Sequence, residues 1–307
     1  MATPLTELAK LSNDVLVQGV AETVVKECPV LQQMPFVEIQ GNALTYNREL
    51  TLPSAEWHAV NDDWTTSPAL TFTQKTATLA ILGQNADVDD YVKKSRSNIQ
   101  DIEAAIIELT AKAVRHEFED KFVYGDPAVD PNQFSGLVKE IDTATASDQL
   151  IAMAATGATL TLDKLDELID AVKGGKPHML MMSRRSRRKI GALARAAGNN
   201  LEHDKNALGE FVTLYNGIPI VINDFIKDTH TLAGSLETAF TGAANSTIYA
   251  LQLGEGALVG LTAPGGLMVE PIGPMETKNA TRTRVKLYCS LALFSKVKAA
   301  ALIGVQN

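Results

Sequence analysis

Apolar residues in the first 35 positions fall at helical spacing (Leu5, Leu8, Leu11, Val15, Leu16, Val20, Val24, Val25), and the run breaks at Pro29 and Pro35. This predicts one amphipathic helix followed by an extended arm. From Leu44 to Leu52 the period changes to two (Leu44, Tyr46, Leu50, Leu52). A Thr-rich alternating run follows from Leu70 through Phe72 to Ile81, so two strands of a long hairpin are expected. The 16 residues between them, Pro53 to Pro68, hold both tryptophans, Trp57 and Trp64, together with His58. A loop has no core of its own for two indoles, so they pack either on another subunit or on a distant part of the chain.

The strongest helical pattern comes next. Ser97 and Gln100 have the spacing of a capping box, and Ile99, Ile102, Ile106, Leu109 and Ala113 repeat at three and four residues, extended by Phe118 and Phe122. A spine of roughly 37 to 40 Å is expected to end at Gly125-Asp126-Pro127. From Phe134 to about Gly273 helices and strands alternate. Thr161 and Ser183 each cap a helix, His178 to Met182 is a short strand, and Asn216-Gly217 joins Phe211–Tyr215 to Ile218–Ile222 in a hairpin. Strands are also expected at 247–253 and 267–271. The last segment alternates again from Thr281, giving a half-buried strand, a break near Ser295 and a second strand over 297–305. The fold class that results is α+β.

Composition excludes several functions. A sum of 28 basic and 36 acidic residues gives −8, so a basic footprint for reading nucleic acid is missing. Two cysteines, Cys28 and Cys289, are too few for a disulfide framework and fit a reducing, cytoplasmic setting. The amino terminus lacks the pattern of a secretory signal, and no uninterrupted apolar span is long enough to cross a membrane. The sequons at Asn245 and Asn279 are then chance matches.

Catalytic chemistry finds no constellation. His116-Glu117-Phe118-Glu119-Asp120 begins like a helical zinc motif, but Asp120 stands where the second histidine belongs. Glycines at 254, 256 and 260 are misspaced for a dinucleotide site and read as a turn, and no G-x-S-x-G elbow occurs. No metal, cofactor or enzymatic activity is expected. One charge cluster stands out: Arg184, Arg185, Arg187, Arg188 and Lys189. Cations in the first turn of a helix oppose its dipole by a few tenths of a kcal/mol each. Their explanation lies outside the helix, with an acidic surface of a neighbouring subunit favoured over plain solvation or nucleic acid.

Three passages carry a family resemblance: Phe122-Val123-Tyr124-Gly125-Asp126 followed by Gln133-Phe134-Ser135-Gly136-Leu137; Tyr215-Asn216-Gly217-Ile218-Pro219-Ile220-Val221-Ile222; and the closing strands from Arg282 to Val305. Together with the order of elements, they resemble tailed-bacteriophage major capsid proteins of the Hong Kong-97-type (Johnson) fold. The resemblance implies an N-terminal arm (1–41), an extended β-hairpin loop (42–83) lying over a neighbour, a peripheral domain with a long spine helix (84–134 and 274–307) and an axial α+β domain (135–273). It implies a structural protein of the virion capsid, assembled in the host bacterial cytoplasm. Partners would be copies of itself in hexamers and pentamers, a separate scaffolding protein, a portal, a decoration protein, and enclosed double-stranded DNA held without sequence reading. Encapsulin-like nanocompartment shells share the fold and are the alternative. The self-crosslinking branch of the family needs a lysine in the loop. Pro53 to Pro68 contains none, the nearest being Lys75. Inter-subunit contact is therefore expected from Trp57, His58, Trp64, Arg184, Arg185, Arg187 and Arg188.

Overall fold

The computed structural model describes residues 30–51, 57–63, 71–96, 102–142, 149–154, 157–198, 202–205, 211–228 and 245–306. The expected amino-terminal helix, Trp64, Ser97 and Gln100 lie outside them. A short helix α1 (Val30–Gln33) leads into β1 (Phe36–Glu38). The long hairpin is β2 (Ala43–Thr51) against β3 (Thr71–Thr78), with Ala43 opposite Thr78. It ends earlier than expected: beyond Leu79, β4 (Ala80–Asp89) changes partner and pairs with a strand near the carboxyl end, Ala80 opposite Cys289. Alternation stops at the apolar run Leu79-Ala80-Ile81-Leu82, where the covered face changes, but the run does not say which strand the chain joins next.

Helix α2 (Asp90–Arg96) precedes the spine α3 (Ile102–Tyr124), whose 23 residues span about 35 Å at 1.5 Å per residue. The spine stops where backbone meets backbone. After Asp126 the chain loops out and returns at Gly136, whose N–H donates to the Gly125 carbonyl at 2.8 Å. A Cβ on Gly125 would stand 2.5 Å from the Phe134 carbonyl oxygen, and one on Gly136 would stand 2.5 Å from the Gly125 nitrogen. Both positions therefore require glycine. The short helix α4 (Leu137–Asp142) starts from this contact.

Two small strands follow, β5 (Leu150–Ala152) and β6 (Ala158–Thr159), then α5 (Leu162–Ala171), whose Thr161 cap accepts from the Lys164 N–H. Strand β7 (Met179–Met182) feeds α6 (Arg184–Ala196), capped by Ser183 through the Ser186 N–H. Next come β8 (Glu202–Lys205), β9 (Phe211–Tyr215) and β10 (Ile218–Ile222). Asn216 and Gly217 join β9 to β10 with φ of 51° and 75°, the left-handed pair that a tight hairpin turn demands. Strand β11 (Asn245–Leu251) is buried throughout.

Strand β12 (Leu258–Pro274) has 17 residues and is far longer than the expected 267–271. The glycine-bearing segment Thr262 to Gly266 is a bulge inside it: Thr262 pairs with Cys289 and Leu267 with Leu287, leaving 263–266 opposite Tyr288. Its partner is β13 (Ala280–Leu293), and after the turn at Lys296–Lys298 the chain ends in β14 (Ala299–Gln306).

The strands form a four-stranded sheet in the order β1-β12-β13-β4, a larger sheet in the order β5-β14-β11-β7-β10-β9-β8 with β6 also on β14, and the separate hairpin β2-β3. Leu180, Met182, Ile218, Ile248 and Leu302 face α5 and α6 through Leu165, Leu168 and Ile190. The opposite face, with Met179, Met181, Tyr249, Leu251 and Ala301, packs on Phe118, Phe122 and Val123 of the spine and on Leu137 and Ile141 of α4. Two strands cross the boundaries expected between domains. Strand β12, placed in the axial unit by the resemblance, belongs to the small sheet. Strand β14, placed in the peripheral unit, lies inside the large one, antiparallel to β11. Fully apolar closing segments such as 299–305 pack equally well in either sheet, so composition does not sort them.

The glycine contact at the spine end makes a stability prediction. Gly136→Ala forces two backbone segments apart, and overpacking of this kind costs about 1–3 kcal/mol. Urea denaturation should show a lower midpoint with an unchanged slope.

Candidate assembly surfaces

The hairpin is fastened to the body at its root. Tyr46 packs edge-on against Phe294 at 4.9 Å, and Leu44, Ala77 and Leu79 lie over Ile39, Val259 and Ala292. Further out, Arg48 donates from Nε to the Leu293 carbonyl at 3.0 Å and from Nη2 to Glu140 at 3.2 Å, and Lys75 forms an ion pair with the same carboxylate. Burial, followed by the Glu140 charge, pushes the Tyr46 hydroxyl up to about 12. Burial also holds the Lys75 ammonium below its usual value, against the pull of Glu140. The lysine nearest the loop tip is thus committed to its own subunit.

The described part of the tip, residues 57–63, closes through the Asp62 N–H on the Ala59 carbonyl at 3.2 Å, with Asn61 at φ 67°. His58 is half-buried, with Nδ1 4.0 Å from Asp62. Trp57 is fully exposed, and Val60 nearly so. Among the described residues nothing covers the tryptophan.

Both edges of the small sheet are open over long stretches among the described residues. On β12, strand β1 pairs only with Gly260–Thr262. Beyond that, Leu267, Val269 and Ile272 are about half exposed. At the other edge Ile81 of β4 is 75% exposed and borders an open groove of about 160 Å³ lined by Glu117, Lys121 and Phe134. Unpaired strand edges bearing apolar side chains invite another chain. The outer sheet face is laced instead by polar pairs. Arg282 grips Asp87 with two bonds of 2.6 and 2.7 Å and holds its carboxyl below the usual range, while Lys286 meets Glu270 at 2.7 Å.

The arginine cluster sits as expected in the first turn of α6. The anion that answers Arg184, however, belongs to its own chain: Asp224 accepts from Nε at 2.7 Å and from Nη2 at 2.9 Å. Strand β10 runs parallel to β7, so the turn after it delivers Asp224 beside the helix start. Asp228 accepts from the Ser183 hydroxyl at 2.6 Å, adding a second negative charge where the helix dipole favours one. Sequence reading missed this because the two acids lie some 40 positions downstream. Arg185 is half-buried, and Arg187 and Arg188 are exposed.

His116 packs its ring against Phe225 at 5.6 Å. Among the described residues no group of His, Cys, Asp and Glu is placed to hold a metal ion, and no helix is long and apolar enough to cross a membrane.

A projecting hairpin, a long spine, a small sheet with open edges and a larger sheet wrapped by helices define a shell-forming protein of the Hong Kong-97-type capsid fold. The chain belongs to the phage capsid family, whose description residues 11–258 match. Among solved structures it is similar to the capsid of the empty GTA particle (16% identity, 94% of this chain and 93% of that one, TM-score 0.68). It is also similar to the Cyanophage A-1(L) capsid (12%, 99% and 99%, TM-score 0.69). The holo-SrpI encapsulin complex from Synechococcus elongatus PCC 7942 has the same fold (18%, 100% and 97%, TM-score 0.68). No curated protein matches.

Two outcomes follow from these surfaces. Changing Arg187 and Arg188 to Gln should leave subunit stability within about 0.5 kcal/mol, as for exposed sites generally, yet slow assembly in low salt more than in high salt. Light scattering across a salt series reads this directly, and equal rates at every salt would return the pair to the solvated-face reading. Intrinsic fluorescence reports the loop alone, since Trp57 and Trp64 are the only tryptophans. Emission should be that of hydrated indole in free subunits and shift to the blue in shells. Blue, quencher-protected emission from free subunits would contradict an intermolecular role.

Proposed function

We propose that this chain is the major capsid subunit of a tailed phage, closing an icosahedral head around double-stranded DNA with no catalytic step of its own. Family membership combined with surfaces that a lone subunit leaves uncovered is the observation that carries this reading. A fully exposed tryptophan at a hairpin tip and two open sheet edges each gain by contact with a further copy. Burying one indole removes roughly 150–250 Å² from water, worth several kcal/mol at about 25 cal/mol per Å². Repeated over every subunit, this supports closure.

In this reading the copies are arranged as hexamers and pentamers, with Trp57, His58, Trp64, Arg185, Arg187 and Arg188 at subunit contacts. A separate scaffolding protein, a portal and a decoration protein complete the particle, which assembles in the host bacterial cytoplasm. A net charge of −8 suits a wall that holds DNA loosely and lets it leave. The encapsulin complex matches about as well as the capsids, which favours a shell around protein cargo as the second reading.

Negative-stain microscopy of the purified protein tests both. Closed shells, with DNA-filled and tail-bearing forms in infected cells, are expected. Uniform small shells loaded with protein favour the second reading, and stable monomers overturn both. Boiling the shells in detergent should release one band near 33 kDa, because the loop from Pro53 to Pro68 offers no lysine for crosslinking. A ladder of larger species would contradict noncovalent closure.

A further inference from the structure

The ionic cluster beneath the hairpin does more than the apolar root requires. Arg48 and Glu140 are buried, with side chains 7% and 3% exposed, and Lys75 at 26% closes the solvent side. Each member comes from a different element: Arg48 from β2, Lys75 from β3, Glu140 from α4. The Leu293 carbonyl at the end of β13 takes two further bonds from Arg48. Helix α4 is itself immobilised, since Leu137 and Ile141 lie in the core beneath the spine.

Among the described residues the hairpin forms no backbone ladder with either larger sheet, so no hydrogen-bond register to them fixes its direction. At the root, Tyr46 meets Phe294 edge-on and Leu44 and Ala77 join the cluster of Ile39, Val259 and Ala292, apolar contacts without the bond directions of a guanidinium fork. A guanidinium fork is directional and fits its carboxylate and carbonyl at one orientation. Arg48 also stands five residues beyond Ala43, about 17 Å out along the strand, where it has leverage over the angle.

Buried ion pairs contribute little net stability compared with apolar packing, and in some proteins their role is to select one arrangement. Among the described residues one carboxylate is shared by two cations. The cluster is exacting in geometry and modest in energy. On the reading of the chain as a shell subunit, we propose that Glu140 is a positioning residue that locks the hairpin onto its own subunit at one angle. Release of Arg48 and Lys75 from it then allows the other angles that non-identical neighbours in a closed shell impose.

Nitroxide labels at Asp62→Cys and Val129→Cys, in the full chain carrying Cys28→Ser, measure the hairpin angle in free subunits by pulsed electron resonance; Cys289 is buried and does not label. The parent should give one narrow distance. Glu140→Gln should broaden and shift the distribution, with Glu140→Asp restoring part of the narrow peak. Lys75→Gln, a partly exposed position, gives a second reading should Glu140→Gln fail to fold. Thermal unfolding of each variant confirms that the body is intact. A parent-like narrow distance in every folded Gln variant overturns the lock. Absence of shells from the parent protein overturns the shell reading instead, and does so without moving the measured distances.

Discussion

Two sheets with different partners meet on one hydrophobic strip, the carboxyl-terminal half of the spine. Phe118 and Phe122 are buried there with Phe134, Met179, Met181, Leu251, Leu291 and Leu293, so the large sheet, the end of β13 and α4 share a core. The first half of the spine carries a much smaller cluster, Ile106 with Ala86, Val88 and Val92, beneath the small sheet. Because the strip lies on one rigid helix, the relation between the sheets is set by aromatic packing and not by a flexible linker. Phe36 and Phe134 approach Phe118 at 6.2 and 5.7 Å, bringing the entering strand and the loop after the spine into the same contact. Removing those rings would unseat both units together.

The electrostatics follow this division. An acidic chain with a local run of arginines suggests an outward-looking patch, yet the structure answers Arg184 internally through Asp224. Other charged pairs hold neighbouring strands together or join the hairpin to the body, as with Arg282 on Asp87 and Arg48 on Glu140. The apolar residues without internal answer gather elsewhere, at the hairpin tip and the sheet edges. Charge thus organises the subunit, and exposed apolar surface supports its association.

Legibility in the sequence followed the range of each signal. Thr161, Ser183 and Asn216-Gly217 act within four residues, and each does what its local chemistry dictates. The family resemblance gave the architecture and the class, and the glycines in its passages have a concrete cause in the contact between Gly125 and Gly136. Sheet membership was not legible for β4, β12 or β14. Alternation reports which face a residue takes but not which strand lies beside it, and a bulge such as 263–266 interrupts it. The hairpin anchor was also missed. Arg48, Lys75 and Glu140 are far apart in the chain, and none carries a local pattern that announces the others.

The closing passage of the chain has a mechanical consequence. Strand β13 lies inside the small sheet, flanked by β12 and β4, and β14 lies inside the large one, flanked by β11 and by β5 and β6. A handful of residues around Lys296–Lys298 connect them. Tension that separates the two units travels through this short tether and pulls each strand along its own axis. Hydrogen-bond ladders on both sides of a strand are then loaded in shear, many bonds at once, and not peeled open one by one. A wall stitched in this way resists outward pressure through its covalent chain as well as through the contacts between its subunits.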